Sequence, residues 1–405
     1  MVALAVGGCA LNPHQPASTV TQKQDSSQTQ NTQPYNQAPA PRNGQYTAPS
    51  IIENPLVVTS SPPPSGKLKA AILLPLSGKN AALGQAMLNA AQQAVFDAAG
   101  NNFELQPHDT DASGGAERAA QAAFNDGAQL IIGPLFAADV PDVKLVAQVS
   151  GLQILPLSTD TTLAERGVYV MGLAPGAQVE RVMTYAMARG VHRFAALVPS
   201  TPYGNLVGQI FLNSAPQHGA SVVDIETFDP AAHNLDQKIK VLAAHRDQIE
   251  ALFLPESGND LKNVADQLTA AGFDAAHVHI LGTGLWDVPG IGSISPLLIG
   301  GWYAAPDPAT RRNFVASYKV VYGQEPPRLA TLAYDATALA AVLAKHNTRY
   351  DEAALTNPNG FAGLDGIFRL LPSGVVERAL AVNEVTADGA RVIDTAPTSF
   401  VGDKR

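Results

Sequence analysis

The chain has one cysteine in 405 residues, and that scarcity closes off several chemistries. Cys9 has no second thiol to pair with, so no internal disulfide can form, and the rest of the chain offers neither a thiolate metal site nor a catalytic thiol. No apolar run approaches the roughly 20 residues that span a bilayer. Lysine and arginine form no block and the net charge is −9, which makes nucleic acid and an anionic membrane face poor partners. Gly-x-Ser-x-Gly, His-Glu-x-x-His and a phosphate-cradling glycine loop are all missing, and the scattered Asp and Glu residues single out no carboxylate pair. His108, Asp109 and Asp111 come nearest to a metal cluster, but their spacing fits no common ligand set, and helix capping explains them better. No enzyme activity, metal or cofactor is expected.

The one cysteine closes Leu4-Ala5-Val6-Gly7-Gly8-Cys9, a short apolar run ending in two glycines. Small residues ahead of a cysteine form a lipobox: a signal peptidase can bind the backbone and the thiol can be acylated as a new N-terminus. Residues 1–9 are read as a shortened lipoprotein signal, because a secretory signal opens with positive charge and carries about 7–15 apolar residues. A translation start upstream of Met1 would supply both. From 10 to 66 the chain is Gln, Thr, Ser, Asn and Pro, as in Ser61-Pro62-Pro63-Pro64. Such a stretch buries too little apolar surface to offset ordering entropy and is expected to be a disordered tether. A flexible coil of about 57 residues has an r.m.s. span of about 40–45 Å. Anchor, spacer and folded head form one coherent design.

From Lys67 onward the texture becomes Ala-rich with short apolar runs. About 335 residues exceed what one hydrophobic core supports, so two lobes are expected. Leu68–Leu74, Phe103–Pro107 (an edge strand, given its proline), Ala128–Ile132 and Leu152–Leu155 read as strands separated by helical stretches. A second series begins near Arg181 and continues through Arg193–Val198, Ser221–Ile225, Ile249–Leu254 and Val278–Leu281. Strands alternating with helices indicate an α/β fold of doubly wound parallel sheets, whose ligands bind at the carboxyl ends of the strands.

The order of short motifs along the head resembles the type I periplasmic binding proteins of the leucine-binding kind. These motifs are Leu74-Pro75-Leu76-Ser77-Gly78 with Gly84, Ile132-Gly133-Pro134, Tyr203-Gly204, Gly282-Thr283-Gly284-Leu285-Trp286, Ala333-Tyr334-Asp335-Ala336, and Phe361-Ala362-Gly363-Leu364-Asp365-Gly366 followed by Gly374. The resemblance implies two lobes, 67–174 plus 305–360 and 175–304 plus 361–400. Three crossovers would join them near Leu173–Pro175, Trp302–Ala305 and Phe361–Gly363. It also implies a small-molecule ligand in the interlobe cleft, its carboxylate held by hydroxyls and backbone N–H groups after the third and fourth strands. Ser158 and Thr159 match that role, while Phe136 and Ala137 stand where the family shows serines. Tyr203 matches the cleft tyrosine. Gly284 stands in the loop that should supply an acidic partner for the ligand's ammonium, and Glu256 is the candidate substitute. Ser77 and Asn80 could donate across the cleft or serve turn and cap chemistry alike. Trp286 could be cleft wall or partner contact, though packing in its own lobe outranks both.

An ammonium buried without a carboxylate costs several kcal/mol, so a zwitterionic amino acid is a poor candidate ligand. Anchor, tether and altered site together resemble the lipoprotein activators of penicillin-binding proteins. That implies a non-catalytic regulator of a peptidoglycan synthase, lipid-anchored through Cys9 at the periplasmic face of the envelope. Ala10 rather than Asp after the cysteine resembles lipoproteins sorted to the outer membrane, and that resemblance implies the same location here. The alternative is a receptor delivering an amino acid, amide or related solute to an ABC permease by lobe closure.

Overall fold

The computed structural model describes residues 66–232 and 234–400. Cys9, the lipobox and the tether lie outside the described residues, Gly66 excepted. The first series runs β1 (Leu68–Leu74), α1 (Ala81–Ala98), β2 (Phe103–Asp109), α2 (Gly115–Asn125), β3 (Leu130–Ile132), α3 (Val140–Ser150) and β4 (Gln153–Leu155). Its strands form a parallel sheet in the order β2-β1-β3-β4. Alternation along β1 feeds two cores: Leu68, Ala70, Ile72 and Leu74 enter one face, Ala71 and Leu73 the other. Pro107 falls in the edge strand β2. The Thr110 N–H donates inward to the Leu74 carbonyl at 2.9 Å, so by alternation the Pro107 nitrogen faces outward, where no ladder bond is lost.

The second series runs α4 (Pro175–Ala188), β5 (Arg193–Pro199), α5 (Pro202–Gln217), β6 (Ser221–Phe228), α6 (Leu235–Ala244), β7 (Ala251–Phe253), α7 (Gly258–Ala270), β8 (His279–Gly282) and β9 (Trp302–Ala305). The chain then gives α8 (Pro308–Tyr322), α9 (Ala330–Lys345), α10 (Glu352–Leu355), β10 (Phe361–Gly363), β11 (Gly366–Leu370) and β12 (Val376–Arg378). It closes with β13 (Ala381–Thr386) and β14 (Gly389–Asp394). The larger sheet has the order β14-β13-β9-β8-β7-β5-β6, parallel from β9 to β6, with β13 antiparallel to both its neighbours. This is the expected doubly wound α/β architecture, with a two-strand antiparallel extension.

Two of the three expected crossovers move. Trp302–Ala305 is strand β9 of the second lobe, so the chain crosses just after it, at Pro306 and Asp307. Phe361–Gly363 is β10, part of a small antiparallel sheet β10-β11-β12. Its Phe361, Phe368, Leu370 and Val376 pack into the first lobe's core, which places 361–378 in the first lobe rather than the second. The crossing comes at Ala379–Leu380: the Ala379 N–H donates to Ile367, while Leu380 enters the second lobe's core. The first crossing, at Leu173–Ala174, lies within the expected stretch.

Helix α9 is buried from Ala330 to Ala344, as a helix apolar all round must be, and its alanines let α1 pack closely on it. It carries Asp335, fully buried, whose carboxylate accepts from Leu364 N–H at 2.6 Å and from Arg378 Nη1 at 2.8 Å. Burial pushes the Asp335 carboxyl up to about 6, neighbouring Asp365 adding to the rise and Arg378 opposing it. Asp365 is held below its ordinary value: burial works upward, but Arg328 and Arg378 outweigh it.

Both lobes repeat one close contact. A Cβ on Gly84 would sit 2.0 Å from the Pro75 carbonyl oxygen, and one on Gly204 2.0 Å from that of Pro199. In each case the first turn of a helix presses on the end of the strand before it. Gly204→Ala is expected to cost about 1–3 kcal/mol through overpacking, read as a lowered midpoint in chemical denaturation. Arg378→Met leaves the Asp335 charge buried and unpaired, at a cost of about 3–5 kcal/mol near pH 7. A carboxyl with a raised folded-state pKa contributes stability that is complete below its ordinary value and lost as pH rises through about 6. The Arg378→Met penalty should therefore shrink at about pH 5, where Asp335 protonates, and denaturation at the two pH values measures it.

Candidate functional site

In open α/β sheets ligands bind beyond the carboxyl ends of the strands, where the winding direction reverses. That point lies between β1 and β3 in the first lobe and between β5 and β7 in the second. The loops leaving those strands, with the loops after β4 and β8, hold the candidate residues.

In the first lobe, Asp109 is the organiser. Its Oδ1 accepts from the N–H groups of Leu76 at 2.8 Å, Ser77 at 3.3 Å and Asp111 at 2.9 Å, tying the loop after β1 to the end of β2. Burial pushes its carboxyl up, but the Ser77 hydroxyl and these N–H groups outweigh that and hold it below the usual range. Asp109 therefore does not cap α2, whose N-cap is Gly114, with no side-chain bond. Among the described residues no group of three His, Cys, Asp or Glu could hold a metal ion. Asn80 stands at the N-cap of α1 without a side-chain cap bond. Phe136 packs half-buried against the lobe's core, beside half-buried Ala137. Next to them the Asp139 carboxyl is raised by burial and by Asp111 and Asp142. Ser158 is buried and its hydroxyl accepts the Asp160 N–H at 3.0 Å, so it caps its own loop, whereas Thr159 is exposed.

In the second lobe, Thr201 caps α5 by accepting the Gly204 N–H at 3.0 Å, which turns Tyr203 toward the loop after β8. The Tyr203 hydroxyl donates to Thr283 Oγ1 at 2.9 Å. Burial raises the Tyr203 pKa, the Thr283 bond opposes the rise, and the Glu256 charge adds to it. Glu256 is half-buried, and burial with the nearby Asp260 raises its carboxyl despite the Ser257 N–H. Trp286 is fully buried in the second lobe's core; its ring lies over Gly282 and its Nε1 donates to the Glu256 carbonyl at 3.1 Å. It is thus neither cleft wall nor partner contact. Gly284 has its space taken: its N–H donates to Gln178 Oε1 at 2.7 Å, and a Cβ there would stand 3.0 Å from that oxygen. Gln178 Nε2 in turn donates to the Leu173 carbonyl at 3.2 Å, at the first crossover.

Gln178 and Asp287 were missed by sequence reasoning. Gln178 sits in the first turns of an unremarkable amphipathic helix, and no local signal marks it; Asp287 follows a motif whose tryptophan drew attention instead. Thr283 belongs to that same motif, but its bond to Tyr203 spans eighty positions.

A family model described as periplasmic binding protein matches residues 67–390. The chain belongs to the periplasmic binding protein family. Its lobes have the architecture of the type I, leucine-binding-like members. An uncharacterised protein of Rickettsia prowazekii (strain Madrid E) is 22% identical over 243 residues, covering 56% of this chain and 64% of that one. The penicillin-binding protein activator LpoA of Glaesserella parasuis serovar 5 is 28% identical over 163 residues, 40% of this chain and 27% of that protein. The chain thus matches less than two thirds of the length of either curated relative. Among solved structures, a branched-chain amino acid ABC transporter periplasmic ligand-binding protein from Burkholderia xenovorans LB400 superposes with a TM-score of 0.66 at 15% identity, covering 83% of this chain and 97% of that one. At such identity the likeness is one of fold.

Gln178→Ala leaves the Gly284 N–H and the Leu173 carbonyl without their partner. The expected cost is about 1–3 kcal/mol, seen as a lower denaturation midpoint with an unchanged m-value.

Proposed function

We propose that the protein is a non-catalytic, cell-envelope member of its family that regulates a peptidoglycan synthase, lipid-anchored through Cys9 at the periplasmic face of the outer membrane. The observation that carries this reading is the occupied Gly284 position. Gln178 fills the space beside the loop after β8, so no carboxylate there can meet an amino acid's ammonium. In the first lobe Phe136 offers a ring instead of a hydroxyl, and the Ser158 hydroxyl is already engaged by its own loop. A head with its amino-acid site altered acts through where it is held and what its surface touches. The partial match to a penicillin-binding protein activator supports the same reading.

One observation favours a second reading, a solute receptor for an ABC importer. Glu256 is half-buried in the loop after β7, its carboxyl raised by burial, and it could pair with a ligand cation there. The solved relatives named as ABC transporter binding proteins share the fold.

Thermal shift against amino acids, amides and short peptidoglycan fragments separates the two. A ligand at about 100 times its Kd adds roughly 2.7 kcal/mol of stability. The regulator reading predicts no shift with amino acids and co-purification of a penicillin-binding protein with the full chain. A shift with one amino acid class that is lost in Glu256→Gln would replace it with the receptor reading.

A further inference from the structure

The Thr283–Asp287 turn holds more long-range bonds than its length would suggest. Thr283 accepts the Tyr203 hydroxyl, Gly284 donates to Gln178, and Trp286 is sunk in the second lobe's core with its Nε1 on the Glu256 carbonyl. The next residue, Asp287, leaves that lobe altogether. Its Oδ2 accepts from Arg311 Nη1 at 3.2 Å and from Arg328 Nε at 3.2 Å. Arg311 is on α8 and Arg328 just precedes α9, both helices of the first lobe's core.

Neither end of this contact is loose. The Asp287 side chain is only 14% exposed. Arg328 is fixed from behind, its Nη1 donating to Thr331 Oγ1 at 2.8 Å and to Asp365 Oδ2 at 3.0 Å. Thr331 also donates to Asp365 at 2.6 Å, and Asp365 is completely buried. On the other side, Asp287 is one residue from Trp286, which cannot shift without disturbing its lobe's core. The lobes are joined covalently by three two-residue crossings, at 173–174, 306–307 and 379–380. Short crossings of this kind allow a hinge rotation by small φ/ψ changes, so something else must fix the angle.

We infer that the Thr283–Asp287 turn is the latch that sets the angle between the two lobes, with Asp287 bound to Arg311 and Arg328 as its closing contact. The partial burial of all three side chains shields the pair from screening, unlike the exposed ion pairs elsewhere on the surface. The latch is made only of the chain's own side chains, so it holds whichever role the head has. Through Thr283 and Tyr203 it also reaches the candidate site.

The test is a distance measurement by pulsed electron paramagnetic resonance on the full chain, with Cys9→Ser removing the native thiol. Spin labels at Val149→Cys on α3 and Val241→Cys on α6 report one lobe each, both positions being exposed. Asp287→Asn is expected to raise the population outside the parent distance peak at least about fivefold, the lower end of a typical coupling between states. Asp266→Asn, which breaks an exposed i,i+4 pair with Lys262 at the same cost in charge, should leave the distribution unchanged. If Asp287→Asn fails to fold, Arg311→Gln with Arg328→Gln, which removes both partners of Asp287, provides the readout. A folded Asp287→Asn or doubly substituted chain with the parent distribution overturns the latch, as does equal broadening by Asp266→Asn.

Discussion

Asp335 sits on a helix with no access to water, and a carboxylate in that position must have every oxygen met. Its partners come from the segment that leaves α9 and returns toward the second lobe: the Leu364 N–H and the Arg378 guanidinium. Gly363 approaches so closely that a Cβ there would lie 2.6 Å from an Asp335 oxygen, which is why a side chain is excluded at that place. Asp365 follows immediately and draws in Arg328 and Thr331. Together with the apolar packing of Phe361, Phe368, Leu370 and Val376, this buried charge ties β10, β11 and β12 to α9. Arg378 stands directly before the third crossing, so the ion cluster borders the place where the lobes part.

The same economy runs through the strand-end loops. Asp109, Ser158, Thr201, Gln178 and Thr283 each hold part of the chain's own backbone or side chains. Beside them stand half-buried Glu256 and Asp139, both with carboxyls raised by burial, exposed Thr159, the Phe136 ring and Asn80, which makes no side-chain cap bond. Ser158 accepts the Asp160 N–H within its own loop, while Thr159 beside it is exposed.

Much of the architecture was legible because it rests on local rules. Apolar runs of strand length separated by helical stretches announce parallel sheets, and Pro107 marks β2 as an edge because its ring cannot donate to a ladder. Several glycines of the family motifs proved to be places of close approach: Gly84 and Gly204 under a strand-end carbonyl, Gly282 under the Trp286 ring, Gly363 on Asp335 and Gly374 on the backbone of Glu165 and Val168. Of the candidate site residues, Tyr203 is bonded to Thr283 of the loop after β8. Trp286 and Ser158 turned inward, since a large ring or a hydroxyl in a loop carries no local mark of the direction in which it points.

The sequence by itself determined the α/β alternation, the edge strand and the lack of any thiol besides Cys9, all of them consequences of side-chain type and spacing. Only the tertiary structure decided where the lobes divide, because the apolar residues of β9 and β10 could enter either core and nothing nearby tells which. It alone showed that Ala333-Tyr334-Asp335-Ala336 and Phe361–Gly366, two motifs well separated along the chain, are halves of one buried ion cluster. It alone brought Gln178 to Gly284 and Asp287 to Arg311 and Arg328. A charge or an amide declares its chemistry in the sequence, but its partner is chosen by folding, because desolvation penalises a buried polar group left without one.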